Sequence, residues 1–375
     1  MPKRSWIEVS LPQIASNFRA VRSLVGAGVE VMPVVKADAY RHGAVEVSRA
    51  LFREGALWLA VSSVEEGVAL RVAGIEARIL VMAGVLPSER EELLARDLTP
   101  VIHSLEELAT LDRLAAGRGV AIGYHLKIDT GMGRLGERST AESIAGAIAG
   151  CRQARLEGLM THFASAADYN SGQTGEQIAA FHNICGALRA AGIEPEYRHA
   201  ASTIAIAYGR REAWHNLVRP GHAIYGYVSP ARGPAPSNLL DVKPALSWKA
   251  AIVAVKDLPA GAPIGYGAMF RAPQAMRIGV LGVGYADGLP HRLSNRGKVI
   301  AGGKLAPILG AVSMDLTTID LSQSPHLKPG DAVTLLGGEG GAVQDAQQMA
   351  RAAGSISYSV LCGISARVQR IYTDR

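Results

Sequence analysis

A lysine at the end of an apolar run is the first residue that could do chemistry. Lys36 follows the apolar run at residues 29–35, and a short polar loop leads from it to a helical pattern that begins near Gly43. A lysine amine that is partly removed from water has a lowered pKa, so it can attack a carbonyl and form a Schiff base. An isolated lysine in this position is more often a plain surface residue, so the rest of the sequence has to distinguish the two interpretations.

Other polar side chains occupy the same kind of position. Asp129, His162, Ser202 and Arg219 each lie at or just beyond the end of an apolar run. Eight such runs precede residue 225, at residues 29–35, 57–61, 78–83, 99–102, 124–128, 156–163, 197–201 and 216–219.

Helical patterns alternate with these runs. Apolar residues recur at every third or fourth position in residues 11–24, 64–73, 105–116 and 176–191. This alternation predicts an α/β fold with a parallel sheet, either a (β/α)8 TIM barrel or a doubly wound open sheet. Barrel enzymes build their active sites at the C-terminal ends of the strands, which is where the polar residues lie. We therefore predict the barrel.

The pattern changes at residues 230–236, a Pro- and Gly-rich stretch typical of a linker. Short β-like runs follow, at residues 246–255, 277–283, 298–300, 307–312, 332–336 and 366–372, and only residues 343–353 have a clear helical pattern. We predict that residues 1–236 form the barrel domain and residues 237–375 a mostly β C-terminal domain. Residues 1–9 are a candidate for packing with the C-terminal domain.

Composition disfavours several classes of function. The chain has 375 residues and a formal net charge of +6, without a Lys/Arg run or basic-aromatic block, so we expect no nucleic-acid partner. Its three cysteines lack metal or redox spacing, so we expect no metal site and reduced thiols in the cytoplasm. No apolar stretch has membrane-spanning length, and no apolar segment follows the charged N-terminus. We expect a soluble protein that is neither membrane-bound nor secreted.

The segment around Lys36, Val-Val-Lys-Ala-Asp-Ala-Tyr-Arg-His-Gly, closely resembles the pyridoxal-phosphate attachment segment of alanine racemases. Arg41 replaces the glycine that is usual in that motif. Together with this segment, about nine segments resemble the family in the same order, over nearly the whole chain. The resemblance implies a fold-type III enzyme that interconverts L- and D-alanine by a two-base mechanism, with pyridoxal 5'-phosphate on Lys36 and D-alanine supplied for cell-wall peptidoglycan.

The resemblance assigns roles to residues of the barrel. Arg134 would bind the phenolic oxygen of the cofactor and the substrate carboxylate, and His162 would lie beside the cofactor ring. Lys127 matches a lysine that is often carbamylated, which gives an anion that orients the arginine and requires a lowered lysine pKa. The remaining cofactor-binding residues, most of them for the phosphate, would be Tyr40, Ser202, Thr203, Gly221, His222 and Tyr358. Ser202 and His222 depart from the usual asparagine and isoleucine.

Arg219 matters most for mechanism. Many pyridoxal enzymes place an acidic residue opposite the pyridine nitrogen and so stabilise its protonated form. An arginine cannot accept that proton. The nitrogen then stays largely unprotonated and the carbanion is less delocalised, which suppresses transamination and favours prompt reprotonation.

The C-terminal domain would supply the second base. By resemblance this is Tyr266, assisted by a chain of hydrogen bonds to His162 and Arg219, because an unperturbed tyrosine titrates near ~10. Tyr285 and Met314 would bind substrate, while Ala311 stands where the family has an arginine. These residues reach the partner's site in the family, which implies a homodimer with shared active sites.

Four alternatives remain open from the sequence. A pyridoxal-phosphate-binding protein made of the barrel alone would lack residues 237–375. A fold-related decarboxylase would need an acid in place of Arg219. A serine or broad-specificity racemase differs in pocket shape, which the sequence does not give. A plain barrel scaffold would leave the motifs unexplained.

Overall fold

A computed structural model of the chain describes residues 4–374; residues 1–3 of the predicted segment 1–9 lie outside that part. The described residues form two compact units. The barrel unit comprises Ile14–Ala39 and Ala44–Lys243, and the C-terminal unit comprises residues 4–13, Tyr40–Gly43 and 244–374.

Eight parallel strands form the barrel unit. After strand β1 (Ser5–Ser10), which belongs to the C-terminal unit, they are β2 (Glu30–Val31), β3 (Trp58–Val61), β4 (Arg78–Val81), β5 (Thr99–Ile102), β6 (Ile122–Lys127), β7 (Ala154–Met160), β8 (Tyr197–His199) and β9 (Leu217–Val218). Strands β3 to β8 pair in sequence order, and β2 pairs with β9. Bridges between Val34 and Ala60 and between Ser202 and Arg219 join the two sheets. The ring is therefore complete.

Helices follow the strands around the ring. They span Leu11–Val25, Ala44–Arg53, Val64–Val72, Arg90–Ala95, Leu105–Arg118, Ala141–Gly150, Gln173–Ala190 and Thr203–Ala207. Ser63, Ser104 and Thr140 cap three of them by accepting a hydrogen bond from a backbone amide of the first turn. The core consists of apolar side chains that are almost fully buried, among them Trp58, Leu59, Ile79, Leu80, Leu126 and Leu159.

The C-terminal unit is mostly β. Its strands are β10 (Leu246–Leu258), β11 (Pro263–Ile264), β12 (Phe270–Arg271), β13 (Met276–Leu281), β14 (Lys298–Ala301), β15 (Lys304–Leu309), β16 (Thr317–Asp320), β17 (Ala332–Glu339), β18 (Ala342–Gln344) and β19 (Gln369–Thr373). The long strand β10 pairs with both β13 and β17, so six strands, β10-β13-β16-β15-β14-β17, form a closed ring. Strand β1 continues the sheet between β10 and β19.

The predicted fold class, a (β/α)8 barrel followed by a mostly β domain, is confirmed. The helix predicted at residues 343–353 is wrong at its start. The glycine turn at Gly340 and Gly341 folds residues 342–344 back on β17 as strand β18, and the helix Ala346–Ala353 begins after Asp345, which caps it. A second helix, Ser357–Gly363, was not predicted. In the described part of the chain, no helix is long and apolar enough to cross a membrane.

Candidate active site

The segment that carries Lys36 is held in place on several sides. The amide of Val35 donates to the carbonyl of Ala60 at 2.8 Å, and the amide of Val34 donates to Pro220 at 2.9 Å. The buried hydroxyl of Tyr225 donates to the carbonyl of Val34 at 2.8 Å. Lys36 therefore leaves the barrel at a fixed point beyond β2, with its side chain partly exposed.

The loop after Lys36 has left-handed backbone. Residues 37–41 have φ between 51° and 66°, and none of them is glycine. L-residues pay roughly 1–2 kcal/mol each for that conformation. The carboxylate of Glu66 holds the start of the loop, because it accepts from the amides of Ala37 and Ser62, both at 2.7 Å. Strained backbone of this kind clusters at functional sites. Arg41, at φ 66°, occupies a conformation that suits the glycine of the family motif.

Arg219 is the most constrained side chain of the barrel mouth. It is 3% exposed, and its guanidinium donates to the carbonyls of Thr161 at 2.7 Å, His199 at 2.9 Å and Ala200 at 3.2 Å. Burial lowers its pKa to about 9. The carbonyls of two neighbouring strand ends thus orient a guanidinium that remains charged at neutral pH.

Two buried histidines continue from Arg219 into the barrel. Arg219 donates to Nδ1 of His199 at 2.6 Å, and Nε2 of His199 lies 2.7 Å from Nδ1 of His125. Because Nδ1 of His199 accepts, the proton of its neutral ring is on Nε2, which donates to His125. Burial lowers the pKa of His125 to about 3 and that of His199 well below its usual range. Both rings are therefore neutral and fixed in one tautomer.

His162 lies within electrostatic range of four cationic side chains. Arg219 donates to its Nδ1 at 3.4 Å. Burial and then the charges of four neighbours lower its pKa to about 3; in order of effect these are Arg219, Lys127, Arg134 and Lys36. His162 is consequently neutral at physiological pH, and its proton is on Nε2 because Nδ1 accepts.

Lys127 is a buried amine among cations. It is 4% exposed at the end of β6. Burial, followed by the charges of Arg134 and Arg219, lowers its pKa to about 8, and Asp129 opposes that effect. A substantial fraction of this amine is therefore neutral near pH 8, which an ordinary lysine is not.

The loop beyond β6 wraps around Asp129. Its carboxylate accepts from the amides of Gly131, Met132 and Gly133 and pairs with Arg138 at 2.7 Å. These bonds offset burial and lower the pKa of Asp129 to about 2. The loop leads to Arg134, which is exposed and raises the positive potential at Lys127 and His162.

Hydroxyl and amide groups gather beyond β8 and β9. The buried hydroxyl of Thr203 accepts from the amides of Gly221 and Ala223 at 3.2 and 3.1 Å. Ser202 precedes the short helix Thr203–Ala207 and makes no side-chain cap. The ring of His222 is 1% exposed and stacks on Tyr227 with centroids 5.0 Å apart. The predicted phosphate residues Ser202, Thr203, Gly221 and His222 thus lie close together.

In the C-terminal unit, Tyr40 and Tyr358 lie side by side. Their ring centroids are 6.0 Å apart, and burial raises the pKa of Tyr40 well above its usual range. Nε of Arg41 donates to the carbonyl of Cys362 at 3.4 Å, and Arg370 donates to the carbonyl of Arg41 at 3.1 Å. The arginine that departs from the motif is thus bonded within the C-terminal unit.

Three segments of the C-terminal unit present the other predicted residues. Tyr266 is 77% exposed, Tyr285 45% and Met314 54%. The amide of Tyr285 donates to Ser313, and the amide of Ala286 donates to Met314 at 3.0 Å. A Cβ on Gly284 would overlap the carbonyl oxygens of Ser313 and Met314, so only glycine allows this approach.

A salt-bridge cluster fixes two of these segments. Arg367 pairs with the buried Asp287 at 2.7 Å and with Asp315 at 2.7 Å. Asp287 also accepts from the amide of Gly284 at 2.9 Å. The cluster therefore ties the segment of Tyr285 to the segment of Met314. The backbone before Tyr266 runs close to the start of the Met314 segment, because a Cβ on Gly265 would lie 3.3 Å from the amide nitrogen of Ala311.

At the mouth of the barrel unit, Arg219 contacts His162, and the charges of Lys36, Lys127 and Arg134 also act on His162. A cavity of about 710 Å³ lies elsewhere, at the N-terminal ends of β4 to β6, and is not part of this site. Among residues 4–374, no group of three or more His, Cys, Asp or Glu side chains is arranged to hold a metal ion.

The sequence analysis did not identify the residues that hold this group in place. His125 and His199 orient Arg219, and Glu66 holds the loop after Lys36. The alternation of side chains along a strand could have indicated His125. Residues two apart on a strand share a face, and Lys127 was already a candidate. The Ser63–Glu66 spacing of a capping box could have indicated Glu66.

Comparisons with known proteins all match one family. A family model described as alanine racemase, N-terminal domain, matches residues 9–230, and one described as alanine racemase, C-terminal domain, matches residues 245–372. The alanine racemase of Carboxydothermus hydrogenoformans is 43% identical, covering 98% of this chain and 99% of that protein. The alanine racemase of Halothermothrix orenii is 40% identical, covering 99% of this chain and 97% of that protein.

Solved structures give the same result. The crystal structure of alanine racemase from Streptomyces lavendulae, a D-cycloserine producer, aligns with a TM-score of 0.92 at 32% identity, covering 100% of this chain and 98% of that one. That of Bartonella henselae alanine racemase, with covalently bound pyridoxal phosphate, aligns with a TM-score of 0.88 at 25% identity, covering 99% and 100%.

Proposed function

This chain belongs to the alanine racemase family, and on that premise we propose that it interconverts L- and D-alanine with pyridoxal 5'-phosphate attached to Lys36. The observation that carries the proposal is the positive charge at the barrel mouth, where Arg219 contacts His162 and three further cationic side chains act on it. A positively charged pocket at the mouth of a barrel suits an anionic cofactor and a substrate carboxylate.

The residues present fit this cofactor. When bound, pyridoxal phosphate withdraws electrons from the substrate Cα and so makes its proton removable. Arg219 offers donors only, which suits an unprotonated pyridine nitrogen and argues against the decarboxylase alternative. The remaining cofactor contacts would come from Arg134, His162, Ser202, Thr203, Gly221, His222, Tyr40 and Tyr358.

Lys36 and Tyr266 are the proposed bases. Racemisation needs proton removal on one face of Cα and delivery on the other, so two bases on opposite faces suffice without turning the substrate. Lys36 serves D-alanine and Tyr266 serves L-alanine. Arg219 fixes the proton of His162 on Nε2. This N–H group can donate a hydrogen bond to the oxygen of Tyr266 and so favour the phenolate form of the tyrosine.

The proposed substrate contacts are Arg134, Tyr285 and Met314. The charge of Arg134 and the backbone amide of Met314 would hold the carboxylate of alanine. Carbamylation of Lys127 would supply an anion that orients Arg134, and the lowered pKa of the Lys127 amine supports this.

The proposed catalytic unit is a homodimer with shared sites. Tyr266, Tyr285 and Met314 are large apolar side chains left about half or more exposed on one chain, which supports their completing the site of a partner subunit. The proposal extends to D-alanine supply for cell-wall peptidoglycan in the cytoplasm; the three cysteines, which form no disulfide, support that location.

Replacing each base tests the proposal. Lys36→Ala should abolish the borohydride-trapped cofactor and racemisation, whereas Lys256→Ala, an exposed lysine on β10, should retain both. Tyr266→Phe should keep the trapped cofactor but slow solvent-deuterium exchange into L-alanine about 10²-fold or more, and exchange into D-alanine less. Tyr208→Phe is the matched control, because its hydroxyl bonds only loop backbone.

The measurements are mass spectrometry of the reduced peptide and NMR of the exchanged alanine. Equal losses of exchange for both enantiomers in Tyr266→Phe would contradict the two-base assignment. A trapped cofactor in Lys36→Ala would contradict the attachment site.

A further inference from the structure

A histidine outside the motifs lies beside Lys127. His103 directly follows β5, and Lys127 is the last residue of β6. In the parallel register Val101 is opposite His125 and Ile102 is opposite Leu126, so the next pair along is His103 and Lys127. Neighbours in register on adjacent strands point their side chains to the same face of a sheet.

The ring of His103 is buried, and in the described part of the chain it makes no hydrogen bond of normal geometry. It is 6% exposed, and among residues 4–374 neither Nδ1 nor Nε2 has a partner within hydrogen-bonding geometry, although the backbone of Met82 interacts with the ring from outside that geometry. Burial, and next the charge of Lys127, lowers its pKa to about 4 against the opposing effect of the Met82 backbone, so the ring is neutral and carries one N–H donor and one acceptor. A buried polar group without a partner costs about 1–3 kcal/mol, and such groups in native proteins usually have a role.

Among the described residues, the one carboxylate that attracts Lys127 is already engaged by other groups. The carboxylate that attracts it, Asp129, is bonded to three backbone amides and to Arg138. Arg134 and Arg219 add positive charge. An anion formed on Lys127 would balance the positive charge of the two arginines. It would also accept a hydrogen bond from the N–H of His103.

We propose that His103 is a positioning residue that donates a hydrogen bond to a carbamate on Lys127. In the reaction the neutral amine nitrogen forms a bond to the carbon of CO₂, one C=O π bond becomes the carboxylate, and one amine proton leaves to solvent. The inference rests on the proposed function, which includes the carbamate but assigns no residue to hold it.

The test measures carbamate occupancy by ¹³C NMR of the intact enzyme with bound cofactor, titrated with ¹³C-bicarbonate at fixed pH. His103→Leu removes the donor at similar volume, and we expect it to need about tenfold more CO₂ for half occupancy, the effect of one charge-assisted hydrogen bond. His103→Asn retains a donor and should restore occupancy to within about threefold of wild type. In CO₂-free buffer, His103→Leu should unfold at the same temperature as wild type or higher, because leucine leaves no unpaired nitrogen.

His215→Leu is the matched control. His215 is also a largely buried histidine with an unpartnered Nε2 and a pKa lowered to about 4, but it packs on Phe181 and His182 before β9. Its carbamate titration should match that of wild type.

The outcomes separate the role of His103 from the carbamylation of Lys127 in the proposed function. Equal titrations of wild type and His103→Leu would refute the role of His103 and leave the proposed function intact. If His103→Leu needs more CO₂ for half occupancy and His103→Asn does not recover, the role is also refuted, since the loss would then come from the change in side-chain shape and not from the missing donor. Absence of the carbamate signal in wild type, with racemisation retained, would remove Lys127 carbamylation from the proposed function and His103 with it.

Discussion

Replacing Lys127 by methionine should stabilise the enzyme in CO₂-free buffer. Methionine fills a similar volume but carries no charge, and it removes an ammonium from a 4% exposed position among arginines. The pKa of Lys127 is about 8 in the folded chain and 10.5 ordinarily. That difference corresponds to about 3 kcal/mol of lost stability at neutral pH, as an upper value.

The sign of this effect fixes its pH dependence. Above about pH 10.5 the amine is neutral in both states and contributes no pH-dependent cost. As the pH falls toward 8, the unfolded chain binds the proton first, so the cost grows, and below about pH 8 it is complete. The difference between Lys127→Met and wild type should therefore be largest near pH 7 and shrink as pH rises.

Thermal unfolding measures the difference, with both proteins at one concentration because the proposed dimer would melt in a concentration-dependent way. For a 375-residue chain about 3 kcal/mol corresponds to roughly 4 °C in Tm. Bicarbonate should raise the Tm of wild type and leave that of Lys127→Met unchanged. A variant that melts below wild type at pH 7 without CO₂, or a gap that widens from pH 8 to 10, would refute the reasoning.

Three further substitutions test the geometry. Arg219→Lys should lower the free energy of unfolding by about 1–3 kcal/mol, measured by urea denaturation, because one ammonium cannot replace the forked guanidinium at three carbonyls. Gly284→Ala should reduce racemisation while leaving cofactor trapping unchanged, because the new methyl group would displace Ser313; full activity would contradict this close approach. Arg41→Gly should leave Tm unchanged or raise it, since glycine accepts φ 66° and the bond to Cys362 is long at 3.4 Å; a lower Tm would mean that this bond outweighs the backbone cost.

The sequence predicted the barrel because each strand is a short apolar run between helices. Strand ends were harder to predict. The run at residues 29–35 is interrupted after Val31, because Pro33 has no amide to donate to a neighbouring strand. In the C-terminal domain, the helix Ser357–Gly363 carries no long apolar period, so its pattern did not differ from the surrounding strands. The domain boundary after residue 236 stays a prediction.

Family motifs supplied the candidate site residues one at a time. Their hydrogen bonds could not be predicted that way, because Arg219 draws its partners from β7 and β8, up to 58 residues away in sequence. The same is true of His103, which matters only because the register of β5 and β6 sets it against Lys127. Contacts of this kind depend on strand pairing, which no local window of sequence contains.

The ring of the C-terminal unit also bears on how the chain avoids aggregation. Because β10 pairs with both β13 and β17, the described part of the large sheet ends only at β18 and β19, which have three and five residues. Unpaired strand edges are where foreign strands add and amyloid-like assembly begins. Short edges, one of them carrying Arg370, offer little template, so this unit can be abundant in a crowded solution without polymerising through its sheet.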